Sequence, residues 1–352
     1  MWKRVIVLCG ALVVLATSGY VASAAVTGGD KVPATSEPAG PLGAPLLNRE
    51  PQSSAAYWTA DRLAAARPME HVRRGTAAQS FGASRLDFTR SRITPQSANR
   101  QAPYKAVGKL FFTVPGSGDF QCSASIIGKR LIVTAAHCMY GSNGLGGVGY
   151  FTNWQFIPGY DGSAATPAAQ RPYGTWTWVA ALVPGGYRTS SSEVVNNYDF
   201  GILQLADQAV AGAPALTVFG KVGFKYNTAV GHLFDTAVAA LGYPCNLDSC
   251  NIMQRVDSSD HQGSGVPSGN GSTAYEYGSD MAGGSSGGPW VENLGNPAGA
   301  APTGSFNVRN AVVAVTSYGY LDPSVRAQGA SQFNSDFTAI KTAMCARTAG
   351  NC

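Results

Sequence analysis

Beyond about residue 103 the chain is a succession of short apolar runs separated by turn residues. Runs over 107–114, 122–127, 131–134, 149–158, 175–182 and 200–205 are rich in β-branched and aromatic side chains and read as strands. A second series follows over 228–233, 237–242, 288–291, 311–316 and at Gln332-Phe333. Strands at this spacing, with few helical repeats between them, predict an all-β sandwich or a pair of barrels. The end of the chain differs. Phe337, Ile340 and Met344 recur at helical intervals behind Asn334-Ser335-Asp336, so one short helix is expected over 335–346.

The first hundred residues have another texture. Lys3-Arg4 precede an apolar run over 5–15, and Ala22-Ser23-Ala24 supplies a small-residue cleavage site, so 1–24 reads as a signal peptide. The apolar run is short for a bilayer span, which implies a secreted protein with no membrane association after cleavage. Residues 25–101 are rich in Ala, Pro, Ser and Arg and lack cysteine. They show little alternation apart from a helical stretch around 55–66, a composition that suits a propeptide or mobile leader, or an inert linker. Arg73-Arg74, Arg90, Arg92 and Arg100 are candidate processing points within it. The folded domain is then 102–352, divided near 212–225 into halves of about 102–218 and 219–352.

The formal charge of +5 raises the question of an anionic partner. Residues 1–100 hold twelve Lys and Arg against six Asp and Glu, leaving thirteen against fourteen for the rest. With no basic stripe in the folded part, nucleic acid is not an expected partner. Forty-three glycines and twenty prolines in 352 residues agree with many turns. Cys9 leaves with the signal peptide. Six cysteines remain, an even number that reads as disulfides in an oxidising compartment, with fifteen pairings open. Proximity favours Cys122–Cys138, Cys245–Cys250 and Cys345–Cys352. A zinc site competes poorly, because no histidine lies at ligand spacing from the last four. Asp257-Ser258-Ser259-Asp260 offers too few ligands for calcium and reads as a solvated loop.

The chemistry concentrates in three segments: Thr134-Ala135-Ala136-His137-Cys138, Asn197-Tyr198-Asp199-Phe200-Gly201 and Gly284-Ser285-Ser286-Gly287-Gly288-Pro289. A serine hydroxyl needs a base within hydrogen-bond reach and an acid to orient that base, and the segments offer one of each. Asp199 opens an apolar strand, where a carboxylate requires a partner; Asp207, beyond the strand, is the nearest rival. Gly284-Ser285-Ser286-Gly287-Gly288 also fits the nucleophile elbow of α/β-hydrolases. That fold needs a histidine after the serine. The four histidines are His71, His137, His232 and His261, all upstream.

The TAAHC run, the aspartate in an apolar strand and the GxSGGP run, in the order His, Asp, Ser, resemble the trypsin/chymotrypsin-like serine proteases of the bacterial secreted type. The resemblance covers roughly Pro103 to the C-terminus. It implies two six-stranded antiparallel β-barrels with a short C-terminal helix, a His137/Asp199/Ser286 triad, and an oxyanion hole from the amides of Gly284 and Ser286. It implies a strand at Ser317-Tyr318-Gly319 that pairs antiparallel with the substrate backbone, with Ser317 bonded to Asp199. The Cys122–Cys138 bridge matches one beside the family's histidine. Asp280, six residues before Ser286, stands where trypsin-like members place a carboxylate that selects Arg or Lys, although Ala282 replaces a bridging cysteine and Met281 is bulky. Neither Thr316 nor Ser317 is the histidine that glutamyl endopeptidases use near this strand. Ser285 occupies a position where many animal members carry an aspartate that receives the new N-terminus, so no ammonium–carboxylate switch is expected. The expected protein is a monomeric serine endopeptidase acting on protein or peptide substrates without metal or cofactor; the alternative is an inactive protease-like binding protein. Hydrolysis and acyl transfer are not distinguished at this level.

Overall fold

Leu110, Phe112, Ile132, Val133, Phe156, Trp176, Leu182, Ile202 and Leu203 fill one interior, and the strands that carry them close around it. The computed structural model describes residues 45–47, 56–73, 87–93, 96–190, 194–207, 209–210, 213–214, 225–226, 233, 236–259, 265–267, 273–295 and 309–352. In the first barrel Trp176–Leu182, Thr152–Pro158, Val107–Val114, Gly118–Ile126, Leu131–Thr134 and Gly201–Leu205 pair in that order. Gly201–Leu205 returns to Trp176–Leu182 and completes the ring, all antiparallel. The run expected over 149–158 is broken at Phe151. Val148–Tyr150 leaves the barrel to pair with Tyr140–Ser142, while the Phe151 N–H donates to the carbonyl of Met139.

The second sheet is a half-barrel. Its strands run in the order Gly265–Pro267, Thr273–Gly278, Ala327–Gln332, Ala311–Tyr320, Pro289–Glu292, Ala237–Gly242 and Gln254–Ser259. The outer edge of Gln254–Ser259 is satisfied by Phe88–Arg92, through a five-residue antiparallel ladder from Gln254–Arg92 to Ser258–Phe88. An unpaired edge is unfavourable, and this strand covers it. The expectation over 228–233 lies, Leu233 excepted, outside the described residues, as does most of the boundary near 212–225.

Three strands of this sheet escaped the sequence reading, Gly265–Pro267, Thr273–Gly278 and Gln254–Ser259. Gln254–Ser259 was expected as a solvated loop around Asp257, yet its side chains alternate between buried and part-exposed. The buried positions are Gln254, Val256 and Ser258, so the period of two is carried by polar residues. Asp257 accepts from Arg255 at 2.7–2.9 Å. In Thr273–Gly278 the pattern is hidden by Glu276, a buried charge.

The C-terminal helix spans Ser335–Ala346, with the Asn334 side chain accepting from the N–H groups of Asp336 and Phe337. Phe337, Ile340 and Met344 enter the first barrel's core cluster, and the Phe337 ring meets that of Phe200 at 5.6 Å. The helix thus follows the second sheet in sequence and buries its apolar face on the first barrel, behind Asp199.

Candidate active site

Register brings the base and the acid together. Gly201 lies opposite Thr134 in an antiparallel ladder, so the chain just before Gly201 runs past the Ala136–Cys138 turn that carries His137. The His137 N–H donates to Asp199 Oδ1 at 2.8 Å, and His137 Nδ1 lies 2.8 Å from Asp199 Oδ2. Ser317 Oγ donates to the same Oδ2 at 2.5 Å. Both side chains are buried. Burial alone would raise the Asp199 pKa, but the facing His137 ring and the hydrogen bonds outweigh it, and the carboxyl is held below its ordinary range. An ionised carboxylate only accepts, so Nδ1 carries the imidazole proton and Nε2 is left as the basic atom. Nε2 is buried with no hydrogen-bond partner among the described residues. The Cys122–Cys138 bridge ties the histidine turn to the neighbouring strand. Cys245–Cys250 and Cys345–Cys352 are the other bridges.

Ser286 sits in a turn that only glycine neighbours permit. Gly284 has φ +96° and Gly287 φ +77°. A Cβ on Gly287 would stand 2.0 Å from Thr134 Oγ1, and one on Gly284 would stand 2.6 Å from the Tyr243 carbonyl. The Ser286 carbonyl accepts from Ser123 N–H at 2.8 Å, and Ser123 Oγ donates to the Gly284 carbonyl at 2.8 Å, which fixes the turn against the first barrel. Ser285 is held without charge: its hydroxyl donates to the Ala282 carbonyl at 2.7 Å and accepts from Gln328 Nε2 at 2.7 Å. Gln328 Oε1 in turn accepts from Ser279 Oγ at 2.9 Å. Gln328 lies 43 and 49 residues from its two partners, which makes this network invisible in the sequence; it holds Ser285 through neutral hydrogen bonds.

The cleft beside Ser286 is filled by residues 67–73, within the segment expected as a leader. Trp58 and Leu63, the latter on the Ala60–Ala65 helix, pack with Phe111 and Ile157 on the first barrel. Arg67–Pro68 then pairs with Phe120 and Gln121, and the Met69 N–H donates to the Gln121 carbonyl at 2.9 Å. The Met69 carbonyl accepts from the Gly284 N–H at 3.4 Å, on the expected oxyanion hole. The His71 ring stacks on that of His137, centroids 4.1 Å apart and planes 21° apart. Val72–Arg73 pairs with Gly319 and Tyr320. That last pairing is parallel. The leader therefore threads the cleft in the direction opposite to the one expected of a substrate. Burial first, and the neighbouring His137 second, lower the His71 pKa to about 3.

Asp280 does not stand as an open carboxylate at the floor of a pocket. It helps to line a cavity of about 440 Å³ with Ser279, Met281, Tyr320, Arg326 and Ala327, but its carboxylate is ion-paired at 3.0 Å with Arg90 of the Phe88–Arg92 strand. At the mouth of this cavity the Glu70 carboxylate lies between Gly283 and Gly319 and is hydrogen-bonded by the Gly283 backbone. Tyr318 is buried and its hydroxyl donates to Glu276 at 2.7 Å. Sequence reading gave no site role to Arg90, named only as a processing point, to His71, or to Gln328 and Glu276. His71 and the Arg73-Arg74 pair beside it were the only local signals.

An imidazole paired with a buried carboxylate on one barrel, and a serine in a glycine-hinged turn that packs on that barrel from a second sheet, is the arrangement that the resemblance to the two-barrel serine proteases implies. Solved structures agree on the fold. A thermostable serine protease from an extremophilic microorganism superposes with a TM-score of 0.52 at 21% identity, over 69% of this chain and 98% of that one. A Glu endopeptidase gives 0.51 at 19%, over 76% and 100%. In sequence the chain is 27% identical over 204 residues to a glutamyl endopeptidase of Bacillus licheniformis, covering 58% of this chain and 52% of the relative. It is 26% identical over 151 residues to an extracellular metalloprotease of Bacillus subtilis, covering 43% and 42%. It thus spans about half the length of these relatives or less. No protein-family model matches. Together these likenesses support the resemblance to bacterial trypsin-like serine proteases.

The second relative's name makes a metal site worth testing against the residues. His71, His137 and Asp199 bring one donor atom each within 4.8 Å of one another, as do Cys122, His137 and Cys138. The cysteines are joined to each other. His137 and Asp199 hold one another through Nδ1, and the His71 and His137 rings are stacked, so their in-plane lone pairs do not converge on one ion. These donors do not fit a metal.

Proposed function

We propose that this chain is a secreted serine endopeptidase made as a latent precursor. The observation that carries the reading is the buried Asp199–His137 pair, with Ser317 beneath it, set beside the turn that presents Ser286. Once the leader has gone, Ser286 Oγ attacks a peptide carbonyl while His137 Nε2 takes its proton. The amides of Gly284 and Ser286 receive the oxyanion, donors typically worth ~3–4 kcal/mol each. His137 returns the proton to the leaving amine, and water completes hydrolysis of the acyl-enzyme. No step calls on a cofactor.

The leader's direction supports latency. With the chain reversed, the amine that would leave the Met69 carbonyl lies on the Gly319 side, away from the position from which His137 protonates a leaving group. The block therefore resists its own catalytic residues. Phe88–Arg92 forms part of the second sheet, so processing belongs before residue 87 and not at Arg90, Arg92 or Arg100. Arg73-Arg74 is the favoured site. Casein digestion by secreted wild type and Ser286→Ala tests the activity. Wild type should digest, with an N-terminus between 74 and 87, and Ser286→Ala should not; equal digestion would end the assignment.

Selectivity for Arg or Lys at the cleaved residue is disfavoured by the Arg90–Asp280 pair. An acidic side chain suits the cavity better: Glu70 already occupies its mouth, Arg326 lines it, and the Bacillus licheniformis relative is named for glutamate. Peptides differing only at that residue should be cut at least about tenfold faster with Glu than with Arg. The reverse order would restore Asp280 as the selecting group.

A further inference from the structure

Glu276 is a buried carboxylate that the triad does not use. Its Oε1 accepts from Tyr318 Oη at 2.7 Å and from Tyr320 Oη at 2.5 Å, while Oε2 has no hydrogen-bond partner among the described residues. Its remaining neighbour comes from the leader. Arg73 Nη1 lies 3.1 Å from Glu276 Oε1 and 3.2 Å from Tyr320 Oη, with the guanidinium 6.0 Å above the Tyr320 ring. The Arg73 side chain is 30% exposed and that of Glu276 0%, so the guanidinium reaches down from the cleft to a carboxylate that solvent does not.

A carboxylate in such a place is unfavourable without a cation or a proton. Burial raises the Glu276 pKa, against the lowering effects of the two tyrosines and Arg73. Removing the leader withdraws Arg73 and leaves an acidic socket, framed by two phenol groups and lacking its cation, opening on the strand expected to pair with substrate.

We propose that Glu276, Tyr318 and Tyr320 form a cation-binding subsite of the processed enzyme, which selects substrates carrying Arg or Lys on the N-terminal side of the cleaved bond. The leader occupies it in place of substrate. Arg73 follows Glu70, which fills the mouth of the primary cavity, by three positions in the reversed leader; a substrate running the other way presents the matching residue before the cleaved one. Arginine suits the socket better than lysine, because its planar group bonds carboxylate and phenol together and stacks on the tyrosine. The subsite rests on the protease reading, and on the leader leaving the cleft.

The test uses enzyme processed from the full-length precursor and peptides with a single Arg placed two, three or four residues before the cleaved residue. Each is paired with an isosteric peptide carrying neutral citrulline. Charge-assisted hydrogen bonding to a buried carboxylate predicts that one position gives about a tenfold to hundredfold higher kcat/KM for Arg. That ratio should fall to near one in Glu276→Gln. The wild-type comparison stands even where the variant fails to fold. Equal rates for Arg and citrulline at every position, in enzyme that digests casein, overturn the subsite alone. An Arg preference that survives in active Glu276→Gln also overturns it. Processed enzyme that fails to digest casein overturns the protease reading and the subsite with it.

Discussion

At Asp199 burial and hydrogen bonding pull in opposite directions, and the balance decides what the site can do. The residue keeps its charge because His137 and Ser317 donate to it, and its charge keeps the imidazole proton on Nδ1, the tautomer that the proposed role of Ser286 requires. Asp199→Asn preserves size but offers an amide where His137 needs an acceptor. Its kcat should fall by about 10⁴-fold with little loss of fold. A fall of less than tenfold, measured on a peptide substrate, would show that Asp199 does not set the tautomer. His137, Asp199 and Ser286 were legible in the sequence because each lies in a short segment whose neighbours explain it. Gln328 was not: a glutamine in a polar strand gives no sign that it will bond Ser285. Asp280 misled for a related reason. Its offset from Ser286 suggested a selecting carboxylate, but its charge is answered by Arg90, 190 residues earlier.

Among the elements, the leader departs most from what composition suggested. A stretch rich in Ala, Pro and Ser reads as a propeptide or mobile leader that blocks the cleft or aids folding, or as an inert linker; Trp58 and Leu63 are buried on the first barrel and residues 67–73 run through the cleft. Fully burying a side chain of this size contributes about 1.5–3 kcal/mol, so two anchors suffice to hold a short strand in place. The strands of Gln254–Ser259 and Thr273–Gly278 were missed because polar residues fill their inward positions. Docking of the leader should depend on acidity. His71 is docked neutral, with a pKa lowered to about 3 from 6.5, beside His137, Asp199 and Glu70. Between those values the free leader takes up a proton that the docked ring refuses, so docking is strongest above pH 6.5 and weakens as pH falls below it. Glu70, whose pKa is raised by burial, acts in the opposite sense nearer its own range. Hydrogen exchange of amides 67–73 in the Ser286→Ala precursor reads this directly. Protection should drop between pH 7.5 and 5.5, after correction for intrinsic exchange, and the drop should shrink in His71→Gln. An identical drop in both would remove His71 from the account.

In the whole molecule the two sheets carry different halves of the proposed site, and three links hold them in register. Ser123 grips the nucleophile turn, Ser317 grips Asp199, and the C-terminal helix lies on the first barrel behind it. The two-barrel plan was legible from strand spacing and the His, Asp, Ser order. The opening of the second barrel was not, because its edge partner, Phe88–Arg92, lies in a stretch read as leader. Its pairing places residues 88–92 in the second sheet, and in the proposed account the segment before them is the plug. Labelling of Ser286 by an organophosphonate tests the central claim most directly, applied to the precursor carrying Arg74→Pro, which blocks cleavage at this pair and keeps the Arg73 contact with Glu276, and to the processed wild-type enzyme. The account predicts stoichiometric labelling of Ser286 in the processed enzyme and protection of at least about tenfold in the intact precursor. Equal labelling of the two would contradict the plug, and absence of label from processed enzyme would contradict the triad itself.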